Sequence, residues 1–192
     1  QDFFYTFSTW LIPVLISITF HEAAHGYSAM LLGDDTAKKL GRVTLNPFKH
    51  IDFFGTVILP IILIIMKSPF LFGWAKPVPV QFNRLKNPLK DMVIIAIAGP
   101  MTNILLAVLA ASLLSLMHNF NLSNNLWLVH TLLNFLLINI ILAVFNMLPI
   151  PPLDGGRVAL GLLPKYFSIH LIKLEKYGLF IIIGALFILP II

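Results

Sequence analysis

The chain has 192 residues, of which 58% are hydrophobic and only 11% are charged, and it contains no cysteine. Soluble domains carry about 25% charged residues, so the composition excludes an ordinary soluble domain and indicates an integral membrane protein built as one domain, residues 1–192. The lack of cysteine excludes disulfides, thiolate ligands and a cysteine nucleophile. The formal charge of +5 does not indicate nucleic-acid binding, because the basic residues lie in short loops between apolar runs.

The first apolar run, residues 3–32, is long enough to span a bilayer and contains His21-Glu22-Ala23-Ala24-His25. Helical residues four apart share one face, roughly 6 Å apart along the axis, so two imidazoles can bind one metal ion. Glu22 then lies beside the metal as a candidate proton carrier. The motif alone is only moderately specific, and chance occurrence is the alternative. Each charged group inside a membrane helix costs roughly 2.5–3.5 kcal/mol, however, which marks this stretch as the predicted site.

Three features lie between this span and the next. Residues 36–50 are polar and basic with β-branched residues near a glycine, a pattern that fits a short hairpin and a solvated loop equally well. The apolar run 53–66 has only 14 residues and contains a proline, so it is predicted to be re-entrant or spanning. Residues 73–80 read Gly-Trp-Ala-Lys-Pro-Val-Pro-Val, and their prolines enforce an extended backbone.

Two further runs, residues 91–117 and 126–148, are predicted to span the membrane. The first contains Ala98-Gly99-Pro100-Met101-Thr102-Asn103, whose small residues allow close helix packing and whose polar residues can form hydrogen bonds inside a bundle. In the second, Asn139 and Asn146 lie seven residues apart on one face, which is predicted to point inward. A last run, residues 177–192, is barely long enough to form a fourth span.

The third span breaks at a proline-rich turn followed by Leu153-Asp154-Gly155-Gly156. Irregular backbone at membrane depth is tolerated only where it lines a cavity or is buried in protein. Among the acidic residues, Asp154 is the one held in such a break, so it is the candidate third metal ligand. An ordinary turn is the alternative for this sequence.

Charge and site geometry favour the same topology. If residues 53–66 do not cross, all 13 Lys and Arg lie on one side, which the positive-inside rule makes cytoplasmic. The spans 3–32 and 126–148 then run parallel, and Asp154 can approach the two histidines from the cytoplasmic half. If residues 53–66 cross, Asp154 lies at the opposite surface. The fold expected is therefore an all-α polytopic bundle of about four spans, with residues 53–66 re-entrant.

Three motifs occur in order along the chain: His21-Glu22-Ala23-Ala24-His25, Ala98-Gly99-Pro100-Met101-Thr102-Asn103, and Asn146-Met147-Leu148-Pro149-Ile150-Pro151-Pro152-Leu153-Asp154-Gly155. Together they resemble the site-2 protease family of intramembrane zinc metalloproteases. The chain looks most like the short bacterial members without a PDZ domain, which also carry the sequence found at residues 73–80. The resemblance covers about residues 7–160.

The resemblance implies one Zn²⁺ per chain, with three ligands: His21, His25 and Asp154. It also implies that Glu22 is the catalytic acid/base, that Asn146 binds the substrate backbone or the oxyanion, and that residues 36–47 match the family's re-entrant β-hairpin. The implied reaction is hydrolysis of peptide bonds within or next to transmembrane segments, as in regulated intramembrane proteolysis. The implied partners are a transmembrane protein substrate and the lipid of a bacterial inner membrane, with no nucleic acid.

Two alternatives use the same residues differently. A non-haem iron lipid oxygenase also takes two histidines and one carboxylate, although it has no need of Glu22 at that position. A membrane metal or proton transporter also places His and Asp along an ion path, although the chain lacks the repeated motifs that such folds often carry.

Overall fold

The structure is a computed structural model that describes residues 3–66, 73–120 and 124–164, together with residues 171, 174, 177, 178 and 184. The described residues are largely helical, and no strand occurs among them. The helices are α1 (Phe3–Leu31), α2 (Thr36–Lys39), α3 (Leu59–Ile65), α4 (Pro88–Asn119), α5 (Leu126–Asn146) and α6 (Asp154–Leu162). A π-helical turn, Phe53–Ile58, leads directly into α3.

Three of these helices are long and apolar enough to cross a membrane: α1, α4 and α5. They have 29, 32 and 21 residues. At 1.5 Å per residue their lengths are about 44, 48 and 32 Å, which match or exceed the hydrocarbon core of about 30 Å. Exposed apolar side chains such as Leu105 and Val144 cover their outer faces, as lipid contact requires.

The relative directions of the three long helices follow from the hydrogen bonds between them. Three bonds join the starts of α1 and α5: Tyr5 with His130 (2.8 Å), Trp127 with Ser8 (2.9 Å) and Asn134 with Thr9 (3.2 Å). Because the first residues of one helix meet the first residues of the other, α1 and α5 run parallel, as the charge distribution predicts. Helix α4 is antiparallel to α1, because His21 contacts Asn103 whereas His25, further along α1, contacts the earlier residue Ile95.

Residues 36–47 do not form the predicted hairpin. One oxygen of Asp34 accepts hydrogen bonds from the backbone N–H (3.0 Å) and the hydroxyl of Thr36, and these contacts start the helical turn α2. Gly41, with a φ of 64°, follows the end of this turn. The structure therefore does not bear out the hairpin prediction: Asp34 forms a local side-chain turn with Thr36, α2 follows, and no strand occurs in residues 36–47.

Residues 53–65 form one continuous helical segment. Its 13 residues would extend about 20 Å at α-helical rise, which is shorter than a bilayer core. Its re-entrant position remains a prediction. The predicted C-terminal span, residues 177–192, lies outside the described residues except for positions 177, 178 and 184.

Residues 73–81, here called the extended segment, have no regular secondary structure. Four backbone N–H groups of this segment donate to other parts of the chain: Trp74 to the Gly55 carbonyl (3.2 Å), Lys76 to the His50 carbonyl (2.9 Å), Val78 to the Glu22 carboxylate (3.0 Å) and Gln81 to the Asp34 carboxylate (2.6 Å). Gly26 allows the close approach to α1, because a Cβ there would lie 3.2 Å from a methyl group of Val78.

Asp34 joins the end of α1 to the extended segment. Burial opposes ionisation of this carboxyl, but hydrogen bonds from Thr36 and Gln81 outweigh the burial and hold its pKa below the ordinary value of 3.8. Because the folded pKa is depressed, the associated stability is complete above pH 3.8 and is lost as the pH falls through the folded pKa.

Replacement of Asp34 by alanine is expected to lower the free energy of unfolding by about 1–3 kcal/mol, because buried N–H groups lose their acceptor. Thermal unfolding in detergent micelles measures the change. Asp35→Ala is the matched control, since that neighbour pairs with Lys39 and Arg84 at the surface and is expected to give a smaller shift. Equal shifts for the two variants would contradict the role assigned to Asp34.

Candidate metal centre

The two histidines of α1 lie on its buried face, one turn apart. Their Nε2 atoms are 3.0 Å from each other, and both side chains are nearly inaccessible to solvent. The rings are almost perpendicular, with an interplanar angle of 83°. The His-x-x-x-His spacing therefore brings two ring nitrogens to one point inside the helix bundle.

Asp154 reaches the same point from a distant part of the sequence. It is the first residue of α6, and its Oδ2 atom lies 3.1 Å from Nε2 of His21 and 3.3 Å from Nε2 of His25. The two glycines that follow allow this position, because a Cβ on Gly155 would lie 2.5 Å from the carbonyl oxygen of Leu148. A Cβ on Gly156 would lie 2.5 Å from the backbone nitrogen of Pro151. Only glycine lets the start of α6 pack so closely against the preceding turn.

Hydrogen bonds on the far side of each ring determine which nitrogen carries the proton. Nδ1 of His25 lies 2.7 Å from the carbonyl oxygen of Ile95, which can only accept, so Nδ1 is the donor. Nδ1 of His21 likewise contacts the amide oxygen of Asn103 at 2.5 Å. In the neutral ring, the Nε2 atom of each histidine then carries the lone pair and faces the carboxylate of Asp154.

This arrangement fits a metal ion. Three electron-pair acceptors lie 3.0–3.3 Å apart in a buried site, and Oδ2 of Asp154 has no hydrogen-bond donor among the described residues. A single proton could bridge only one of these contacts and would leave the others repulsive. A tetrahedral zinc ion holds its ligand atoms about 3.3–3.4 Å apart, and three protein ligands leave one position open, as in catalytic zinc sites.

Glu22 lies beside the cluster but faces a different partner. Its side chain is half-buried, and Oε2 accepts a hydrogen bond of 3.0 Å from the backbone N–H of Val78 in the extended segment. The sequence offered no signal for this contact, because a backbone donor does not depend on the identity of its residue.

Gly99 of α4 packs directly against the histidine rings. A Cβ at this position would lie 2.6 Å from Cε1 of His25 and 2.7 Å from Cε1 of His21, both too close for real atoms. The small residues around Gly99 predict close helix packing, but the sequence carries no sign that this glycine would contact the two histidine rings.

Among the described residues, no hydrogen bond joins Asn146 to His21, His25 or Asp154. It is half-buried at the last position of α5, and its amide nitrogen donates to the carbonyl oxygen of Leu142 at 3.0 Å. Because an amide nitrogen carries two N–H groups, this bond occupies only one of them. The predicted contact of Asn146 with substrate remains a prediction.

Comparison with known proteins places the chain in a family. Residues 112–191 match the family described as Peptidase family M50. YwhC of Bacillus subtilis is 42% identical over 184 residues, which cover 94% of this chain and 80% of the relative. Rip2 of Mycolicibacterium smegmatis is 32% identical over 179 residues, which cover 92% of this chain and 65% of the relative. Rip2 of Mycobacterium tuberculosis is 30% identical over 141 residues, which cover 73% of this chain and 52% of the relative. All are named as candidate zinc metalloproteases, and no solved structure matches the chain.

A buried His-His-Asp cluster among membrane-spanning helices, together with these relatives, defines an integral membrane metalloprotease. The chain belongs to peptidase family M50, the site-2 protease family, whose cofactor is zinc. The family resemblance and the metalloprotease prediction are thus confirmed over the transporter and oxygenase alternatives.

The Gly99→Ala variant is expected to lose zinc and, with it, activity, because the added methyl group would displace both imidazoles. The zinc content of the purified protein, measured by atomic absorption, tests this. Gly184→Ala is the control, because a Cβ there meets no described atom within 4 Å. A Gly99→Ala protein that folds and retains one zinc per chain would contradict the assignment of Gly99 to the wall of the centre.

Proposed function

We propose that this protein hydrolyses peptide bonds within or next to the transmembrane segments of membrane protein substrates, with zinc held by His21, His25 and Asp154. The observation that carries the proposal is the convergence of three buried ligand atoms among helices long enough to span a bilayer. A transmembrane segment of a substrate already lies at the depth of such a site.

The reaction needs a Lewis acid, a proton carrier and a group that stabilises developing charge. When bound, zinc supplies the Lewis acidity that polarises a peptide carbonyl and acidifies water. Glu22 takes the proton from the attacking water and returns it to the leaving nitrogen. The N–H of Val78 holds one oxygen of this carboxylate and so limits its orientation. The Asn146 amide donates a hydrogen bond to the oxyanion of the transition state.

A helical substrate must unwind locally, because its carbonyl groups are engaged in internal hydrogen bonds. The predicted edge at residues 36–47 is not available for strand addition in this structure, since no hairpin forms there. The extended segment is the better guide for an unwound chain. The contact between Val78 and Glu22 brings it beside the proposed acid/base, and it guides the substrate by its position, because four of its N–H groups already donate within the protein.

We also propose that the site faces the cytoplasmic side of a bacterial inner membrane. The described lysines and arginines lie between the end of α1 and the start of α4, within the first turns of α4, or within α6 after α5: Lys38, Lys39, Arg42, Lys49, Lys76, Arg84, Lys86, Lys90 and Arg157. Because α1 and α5 are parallel and α4 is antiparallel, these positions lie at one end of the bundle. The positive-inside rule assigns that end to the cytoplasm.

The Glu22→Gln variant is expected to cleave single-span substrates about 10²–10⁴-fold more slowly while it keeps its zinc, because only the proton carrier is removed. Cleavage of a panel of single-span peptides in proteoliposomes, beside zinc analysis, measures both quantities. Asp154→Ala is the companion variant and is expected to lose zinc as well as activity. Cleavage by Glu22→Gln at the wild-type rate would contradict the proposed role of Glu22 as proton carrier.

The Asn146→Ala variant is expected to lower kcat by about 10²–10³-fold with unchanged zinc content, because an oxyanion donor acts only in the transition state. Single-turnover cleavage rates provide the measurement. Asn134→Ala is the control, since this asparagine of the same helix donates to the carbonyl of Thr9 instead. If both variants retain the wild-type kcat, Asn146 has no part in charge stabilisation.

A further inference from the structure

We propose that Asn103 and Asn139 are positioning residues that fix the metal-binding tautomer of His21 through a relay of hydrogen bonds. The inference rests on the proposed role of His21 as a zinc ligand. The relay starts at a backbone carbonyl of α5, passes through one side chain of α5 and one of α4, and ends at the ring in α1.

The relay consists of three hydrogen bonds in series: Asn139 Nδ2 to the Phe135 carbonyl oxygen (2.8 Å), Asn103 Nδ2 to Asn139 Oδ1 (2.7 Å), and His21 Nδ1 to Asn103 Oδ1 (2.5 Å). Both asparagine residues are 0% exposed. The orientation of each amide therefore depends on the next group in the series.

The direction of the relay follows from the group at its start. The carbonyl oxygen of Phe135 can only accept, so Asn139 must turn its NH₂ group towards it and its oxygen towards Asn103. Asn103 must then present its NH₂ group to Asn139, which leaves its own oxygen facing His21. A second carbonyl, that of Ser17, also lies 3.4 Å from the same nitrogen of Asn103 and supports this orientation.

The consequence is a proton on Nδ1 of His21 and a lone pair on Nε2, the atom that faces Asp154 and His25. If both amides were reversed, an oxygen of Asn139 would face the Phe135 carbonyl and an oxygen of Asn103 would face the Ser17 carbonyl. The NH₂ group of Asn103 would then require a lone pair on Nδ1, which places the proton on Nε2 and blocks metal binding.

The two histidines are therefore oriented by different means. His25 donates directly to the backbone carbonyl of Ile95, an interaction that no side-chain substitution removes. His21 depends on two side chains, one of which, Asn139, does not touch it. Loss of the hydrogen bond behind a metal-binding histidine typically weakens metal affinity 10–100-fold.

A purely structural role for these amides is the competing explanation, because buried asparagine residues also join helices inside membranes. Asn134 provides the matched comparison. It lies on the same helix as Asn139 and forms one interhelical hydrogen bond, to the Thr9 carbonyl (3.2 Å), at a position outside the relay. A structural role predicts similar behaviour for Asn134 and Asn139, whereas the relay predicts a difference in zinc affinity.

The experiment measures the zinc dissociation constant of the full chain in detergent, by competition with a chromophoric chelator. Thermal unfolding is recorded for each variant. Asn103→Leu is expected to weaken zinc binding about 10–100-fold, and Asn139→Leu is expected to weaken it in the same direction by a smaller factor. Asn134→Leu should keep the wild-type affinity even if its unfolding temperature falls. Asn103→Asp, which keeps an oxygen facing Nδ1, should bind zinc more tightly than Asn103→Leu.

The outcomes separate this proposal from the one on which it rests. If Asp154→Ala loses zinc while Asn103→Leu and Asn139→Leu bind as tightly as Asn134→Leu, the relay is overturned and the ligand set stands. If Asp154→Ala binds zinc like the wild type, the ligand set fails and the relay fails with it. Asn139→Leu decides the question if Asn103→Leu does not fold, because it disturbs the relay one residue further from the ring.

Discussion

The central physical constraint in this structure is the repulsion among three electron-pair acceptors held together away from water. Two imidazole nitrogens and a carboxylate oxygen lie within 3.3 Å of one another, and Oδ2 of Asp154 has no hydrogen-bond donor among the described residues. Such a cluster is costly unless a cation occupies its centre. Much of the surrounding fold serves to bring the acceptors together: Gly99 lets α4 approach the rings, and the glycines after Asp154 let α6 begin against the preceding turn. The parallel course of α1 and α5 places the end of α5 near the end of α1 that carries the histidines.

The sequence predicts the parts of this arrangement that depend on side-chain identity. His21 and His25 share a helix face because of their spacing alone. Asp154 is recognisable because irregular backbone at membrane depth is tolerated only where it lines a cavity or is buried in protein. The three long helices are predictable because a bilayer imposes length and hydrophobicity on any segment that crosses it. The parallel relation of α1 and α5 follows from the distribution of charge, without any knowledge of contacts.

The remaining parts depend on backbone groups or on partners distant in sequence. The carbonyl of Ile95 and the N–H of Val78 would be present whatever side chains those residues carried. No sequence pattern therefore predicts their hydrogen bonds to His25 and Glu22. Asn103 and Asn139 are expected to point inward, but their order in a relay requires knowledge of which helices meet. The hairpin expected at residues 36–47 fails for a local reason. The carboxylate of Asp34 accepts a hydrogen bond from the N–H of Thr36, two residues on, and this local turn leads into α2 where the hairpin was expected to start.

The proposed ligands and the proposed acid/base are held by different parts of the molecule. Packing of α1 and α6 against α4 positions the ligand atoms inside the bundle. Glu22 belongs to α1, but its carboxylate is held by the extended segment, which is fixed in turn by Asp34, His50 and Gly55 outside the long helices. The proposed zinc site and the proposed proton carrier therefore rest on separate contacts: the ligand atoms on the packing of helices, and the Glu22 carboxylate on the N–H of Val78.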